Sequence, residues 1–240
     1  MKSFIVILGP LLTPAVSMAA EPALQLTIGE PADGGAALKL ILLMTMVTLA
    51  PAALLTMTSF VRIVVVLSFL KNALGVQSAP PQQVMIGLAL FLTIAVMAPV
   101  GEKVYADGLG PYLDGTQGFA ESVQASVPPV RGFLLAQTRE PDLELFYELS
   151  DIPSPDGPAD VAMHLLVPAF VISELRTAFE MGFMLFLPFL LLDLVVASVL
   201  MSMGMVMLPP ALVSLPIKIM LFVAADGWRL IAGSLVRSFA

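Results

Sequence analysis

Methionine stands at positions 201, 203, 205 and 207 in the stretch MSMGMVMLPP, inside an apolar region that also holds the ionisable side chains Asp193, Lys218 and Asp226. A thioether side chain is unbranched, polarisable and conformationally soft. A ring of such side chains can close around objects of different shape, as hydrophobic constrictions do in channels; equally, methionine fills gaps between packed helices. The three ionisable groups are costly in lipid and should face a bundle interior or a wet cavity, often in pairs. If the turn centres near Met207, Asp193 mirrors position 221 and Lys218 falls within one helical turn of it. An Asp193–Lys218 pair is therefore expected, either relaying protons or fixing helix packing. Catalysis lacks its parts. There is no cysteine, His164 is the single histidine, no Gly-rich phosphate loop follows a strand, and no serine has a credible His/Asp pair. No enzyme activity, cofactor or metal site is expected.

The elements that must position these residues are membrane-like. The 240-residue chain is 58% hydrophobic and 12% charged, with mean hydropathy +0.96, where an ordinary soluble domain carries about a quarter charged residues. Residues 40–61 and 84–100 are uncharged runs of 22 and 17 positions, near the length a bilayer core needs. They predict a first helical hairpin over 40–100. Residues 181–217 contain one charge, Asp193, and are too long for one span, so the break must fall at Gly204, Pro209 and Pro210. Two further spans, 183–203 and 211–231, then form a second hairpin within 166–240, with its Met-rich loop at 201–210. No charge occurs from Leu194 through Ile217. Non-helical backbone in hydrocarbon is tolerated where protein covers it or it lines a cavity, so the turn should be buried in protein or line a passage.

The net charge of −7 is unevenly spread. Residues 102–160 hold eleven acids against Lys103, Arg131 and Arg139, a local balance of −8 that leaves +1 for the rest. This predicts a small acidic extramembrane domain over 101–165, with a helix from about Val130 to Leu149, and disfavours nucleic-acid binding, which needs clustered cations. Lys2, an apolar stretch, and Ser17 with Ala19 predict a signal peptide over 1–19, followed by an exported segment over 20–39. Gly9, Pro10 and Pro14 argue against a retained span there. Arg62 and Lys71 favour a cytoplasmic 62–83 link and hence an acidic domain on the exported side. The fold class expected is an all-α, membrane-derived protein of two helical hairpins, four hydrophobic spans in all, with a small helical extramembrane domain.

Three stretches, TSFVRIVVVLSFLKNALGVQSAPPQQVMIGLALFL (58–92), PAFVISELRTAFEMGF (168–183) and DLVVASVLMSMGMVMLPPALVSLPIKIMLFVAADGW (193–228), resemble the flagellar export-gate family FliP and its injectisome relatives (SctR). LLAQTREPDLELF (134–146) and GSLVRSF (233–239) resemble the flagellar branch. The resemblance implies a helical oligomer, a pentameric spiral built with FliQ and FliR in the bacterial inner membrane, at the flagellar basal body. It would form the channel that admits unfolded rod, hook and filament proteins, with helices lifted out of the bilayer plane after assembly. By motif it also implies a pore gasket of Met203, Met205 and Met207, and subunit contacts at Phe133, Phe146 and Glu174. The family's usual three consecutive methionines are here divided by Val206, a stiffer side chain. Two other readings stay open beside it: a small-solute transporter, for which no inverted repeat and too few polar groups are present, and a purely structural membrane anchor.

Overall fold

Prolines and short hydroxyl-bearing breaks divide this chain into helices, and among the described residues there is no strand. The computed structural model describes residues 34–76, 79–150, 152, 153, 155, 157–205 and 207–239. The expected signal peptide lies outside them, as does most of the exported segment. The chain divides into two units, residues 1–48, of which the start of helix α1 is described, and residues 49–240. The helices are α1 (Gly34–Thr56), α2 (Phe60–Leu74), α3 (Gln82–Val104), α4 (Gly110–Leu113), α5 (Phe119–Gln137), α6 (Glu140–Ser150), α7 (Met163–Ser202), α8 (Pro210–Ala224) and α9 (Gly227–Arg237).

The 49–240 unit is organised around the pairing of α2 with α7. In α2, Ile63, Val66, Leu67, Leu70, Ala73 and Leu74 are buried, the i, i+3, i+4, i+7 stripe of a helix with one covered face. On α7 the buried stripe is Leu166, Ala169, Phe170, Ser173, Glu174, Ala178 and Gly182. At Gly182 the two helices approach so closely that the Phe69 ring occupies the space a Cβ would need. Gly75 ends α2 in the left-handed region (φ 73°), its N–H donating to Asn72 O at 3.0 Å. Leu235 of α9 joins the cluster of Ile63, Val66, Leu67, Met85, Ala89 and Ala178, while Leu134, Tyr147 and Val161 pack with Leu165, Leu166 and Phe170 at the start of α7.

Four boundaries differ from the hydropathy reading. The apolar run expected over 40–61 ends at Thr56, and α2 starts afresh at Phe60. Hydroxyls compete for the backbone there: Thr56 Oγ1 donates to Ala52 O, and Thr58 Oγ1 accepts from Phe60 N–H at 3.4 Å. The helix expected to stop at 100 runs from Gln82 to Leu113 through one wide π-type turn, Tyr105–Leu109. In place of one helix over 130–149 there are two, α5 and α6. Thr138 is extended between them, its hydroxyl donating to Leu134 O at 2.7 Å, and Pro141 lies in the first turn of α6. The span expected over 211–231 is bent by 64° between α8 and α9.

That last bend has a local cause. Asp226 takes the left-handed region (φ 50°, ψ 49°), and the next residue, Gly227, lies against the Phe222 ring where no side chain would fit. Two helices, Gln82–Leu113 and Met163–Ser202, are long and apolar enough to cross a membrane among the described residues, or three if α8 and α9 count as one bent span. The described apolar run within α1, Leu43–Ala53, is shorter. The hydropathy count of four is thus reduced to two or three among the described residues.

Candidate functional site

The methionine turn is a helix end followed at once by a helix start. α7 closes in a Schellman arrangement: Gly204, at φ 75°, donates to Met201 O at 3.0 Å, and Met205 N–H donates to Leu200 O at 3.0 Å. Pro209 and Pro210 open α8, where a missing N–H is no loss. Between these caps the methionines stand outward. Met203 is 66% and Met207 98% exposed, with Met205 at 39%. Val206 lies outside the described residues. The turn therefore presents an uncharged thioether tip whose backbone is held by its two helices.

Behind the tip, α7 and α8 are tied by charge. Lys218 Nζ donates to Asp193 Oδ2 at 2.6 Å and to the carbonyl of Ala73 at 3.1 Å. Ala73 lies in the last turn of α2, where carbonyls have no partner within the helix and carry its negative end, so the ammonium caps α2 while pairing with α7. Lys218 is buried and the Asp193 side chain is 36% exposed. One side chain of α8 thereby fixes three helices. Asp226, read from sequence as a group that should face inward, is instead exposed at the α8–α9 bend, 3.9 Å from exposed Arg229.

A second polar centre lies near the α1–α2 break. Arg62 is 3% exposed and bonds Glu174 through two nitrogens, Nε to Oε2 at 2.9 Å and Nη2 to Oε1. Nη2 also donates to Gln137 Oε1 at 2.9 Å, and Nη1 to the carbonyl and hydroxyl of Ser238 at 2.9 and 3.1 Å. The Phe239 ring centre lies 3.8 Å from the guanidinium carbon. Phe133 stacks on Phe239 with centroids 6.3 Å apart and lies 6.0 Å from Phe170. Phe146 is half-buried on the cluster around Leu134 and Tyr147. Glu174 has no exposed surface in the single chain.

The FliP family model matches residues 43–235. The chain belongs to the FliP family. It is 55% identical over 199 residues to the flagellar biosynthetic protein FliP of Pectobacterium carotovorum subsp. carotovorum, covering 83% of this chain and 77% of that one. To the FliP of Caulobacter vibrioides it is 52% identical over 227 residues, 94% and 85% of the two chains. To that of Bacillus subtilis it is 49% identical over 210 residues, 88% and 95%. Membership and the apolar helices together make this a membrane component of flagellar protein export.

Within this FliP-family chain the structure draws some of the sequence-selected residues together and leaves others apart. Asp193 and Lys218 meet, and the Ser238–Phe239 pair reaches both the Phe133 ring and the arginine that binds Glu174. The methionines stand beyond the opposite end of α7 from Glu174. His164 is exposed in the first turn of α7. Sequence reading took Arg62 for a boundary cation. The structure corrects this, burying it against Glu174, 112 residues away in the chain, and leaves Lys71 the less buried of the two. Part of the signal was present: Arg62 stands in the apolar run FVRIVVVL, where burying its charge alone would be prohibitive, whereas Glu174 has Ser173, Arg176 and Thr177 beside it and gives no such sign.

Proposed function

We propose that this chain is a core subunit of the flagellar type III export gate, forming with further copies of itself the channel through which unfolded rod, hook and filament proteins pass. In this reading five copies wind into a spiral with FliQ and FliR. Each chain inserts into the inner membrane as two helical hairpins with four hydrophobic segments, after removal of residues 1–19, and carries its acidic 101–165 domain on the periplasmic side. The protein has no enzymatic activity of its own and no cofactor.

One observation carries the reading: an uncharged turn, closed by the Schellman bonds of α7 and followed by Pro209 and Pro210 at the start of α8, holds Met203 and Met207 outward, and Met207 is 98% exposed in the single chain. Several such tips, with Met205 between them, would converge on one axis as a pliant apolar constriction that closes against small ions and yields to a passing chain. The Asp193–Lys218 pair would hold the hairpin that carries the tip. Phe133, Phe146 and Glu174 would act at the contact between copies, Glu174 through the Arg62 network that encloses it.

The experiment is conductance of the assembled complex in planar bilayers without export substrate. Replacing Met205 and Met207 together by alanine should open a steady ion leak while assembly is retained. Conductance equal to that of the unsubstituted complex would overturn the gasket, and a purified protein that is monomeric under all conditions would overturn the channel.

A further inference from the structure

The two residues that follow α9 are held more firmly than a helix end requires. Ser238 offers its carbonyl and hydroxyl to Arg62 Nη1, and the Phe239 carbonyl accepts from Gln137 Nε2 at 3.4 Å. The Phe239 ring covers the guanidinium on one face and stacks on Phe133. Arg62 has five N–H donors in a rigid fork. With Glu174, Gln137 and Ser238 in place, each of its three nitrogens is engaged.

The geometry points to Ser238–Phe239 as a latch that positions Glu174 and Phe133. This rests on the proposal that Phe133 meets a neighbouring copy and that the buried Glu174 acts on that contact through the Arg62 network. When the latch is seated, the guanidinium plane is fixed, and with it the orientation of the Glu174 carboxylate. The Phe133 ring is held by Phe239 and Phe170 together. When the latch is withdrawn, Nη1 loses both acceptors, and the buried arginine must turn toward others. Phe133 then loses one of its two aromatic supports. Leu235, fully buried one turn earlier among Ile63, Val66 and Leu67, is the part of α9 that would come loose with the latch. The contact face and the last helix are thereby linked.

Because the chain lacks cysteine, a single Leu235→Cys reports latch release in the full-length protein, purified in detergent. Water-soluble maleimide labelling and oligomer mass by light scattering are read in parallel, with helicity by circular dichroism as the check on folding. In the otherwise unaltered chain the thiol should be protected and the protein oligomeric. Adding Phe239→Ala should speed labelling at least tenfold, as local opening does, and reduce the oligomer to smaller species at unchanged helicity. Phe239→Tyr, which keeps the ring stack, should restore both. Phe239→Leu, which keeps apolar bulk without the ring, should fall between them and carries the same contrast if the alanine variant loses helicity. Unchanged labelling in the variants without the ring overturns the latch. Faster labelling with the oligomer intact overturns its positioning role. A reference chain that is itself monomeric sinks the assembly reading instead, which is a distinguishable failure.

Discussion

Lys218 Nζ lies between Asp193 Oδ2, at 2.6 Å, and the carbonyl of Ala73, at 3.1 Å, so its charge answers a carboxylate and a helix end together. This asymmetry decides what a charge swap can do. Asp193→Ala leaves a buried ammonium with only the carbonyl as acceptor and should cost on the order of 3 kcal/mol. Lys218→Met leaves a carboxylate that retains some access to its surroundings, and should cost less. The double swap Asp193→Lys with Lys218→Asp rebuilds the ion pair but turns a carboxylate toward the Ala73 carbonyl. It should recover only part of the loss in thermal stability, while Lys218→Arg keeps most of it. Full recovery by the swap would show that the Ala73 bond is idle.

The α2–α7 crossing makes a second prediction. A Cβ added at Gly182 would stand 2.5 Å from Phe69 Cδ2, and the same ring is held edge-on against Phe179 at 5.2 Å. Gly182→Ala should therefore destabilise by about 1–3 kcal/mol, the usual range for overpacking. Pairing it with Phe69→Leu should return much of the lost Tm. Thermal unfolding in detergent of the two single variants and the double variant measures the coupling, and strict additivity would contradict the contact.

Arg62→Lys keeps the charge and should still fail. An ammonium supplies three donors without the planar fork, whereas Arg62 serves both Glu174 oxygens, Gln137 and both oxygens of Ser238. The loss should be about 1–3 kcal/mol, the cost of leaving buried polar groups unpaired, and smaller than the roughly 3–5 kcal/mol of Arg62→Met, which breaks the buried ion pair. Arg62→Met combined with Glu174→Gln removes both charges and should be milder than Arg62→Met alone. Tm shifts across the set check the order.

How much of this was legible beforehand depended on range along the chain. The turn at 203–209 follows from local chemistry, a glycine that can take positive φ and two prolines that cannot continue a helix, and α7 does end at Ser202. The burial of Arg62 depends on Glu174, 112 residues away, and periodicity carries no information about such a partner. The 64° bend likewise depends on Gly227 meeting the Phe222 ring. Hydropathy reads AADGW as the tail of a span, because it weighs composition and is blind to φ at Asp226.

Met207 separates function from stability more cleanly than any other side chain in the turn. At 98% exposure it packs on almost nothing in its own chain, so truncating it removes no buried apolar area and leaves no cavity. Met207→Ala should leave the Tm of the isolated subunit unchanged. Gly204→Ala should destabilise the subunit by about 1–2 kcal/mol, through left-handed backbone strain, although among the described residues no atom beyond its chain neighbours lies within 4 Å of the new Cβ. The order should invert in the assembled complex. There Met207→Ala removes an apolar side chain from the constriction and should raise ion leak, while Met207→Leu keeps bulk but loses thioether pliancy, sealing at rest and slowing substrate passage. Conductance and secretion assays on Met207→Ala and Met207→Leu, with Tm measured on the same preparations, check both halves. A fall in Tm for Met207→Ala would mean that the tip packs within its own chain, and the seal would have to be sought elsewhere.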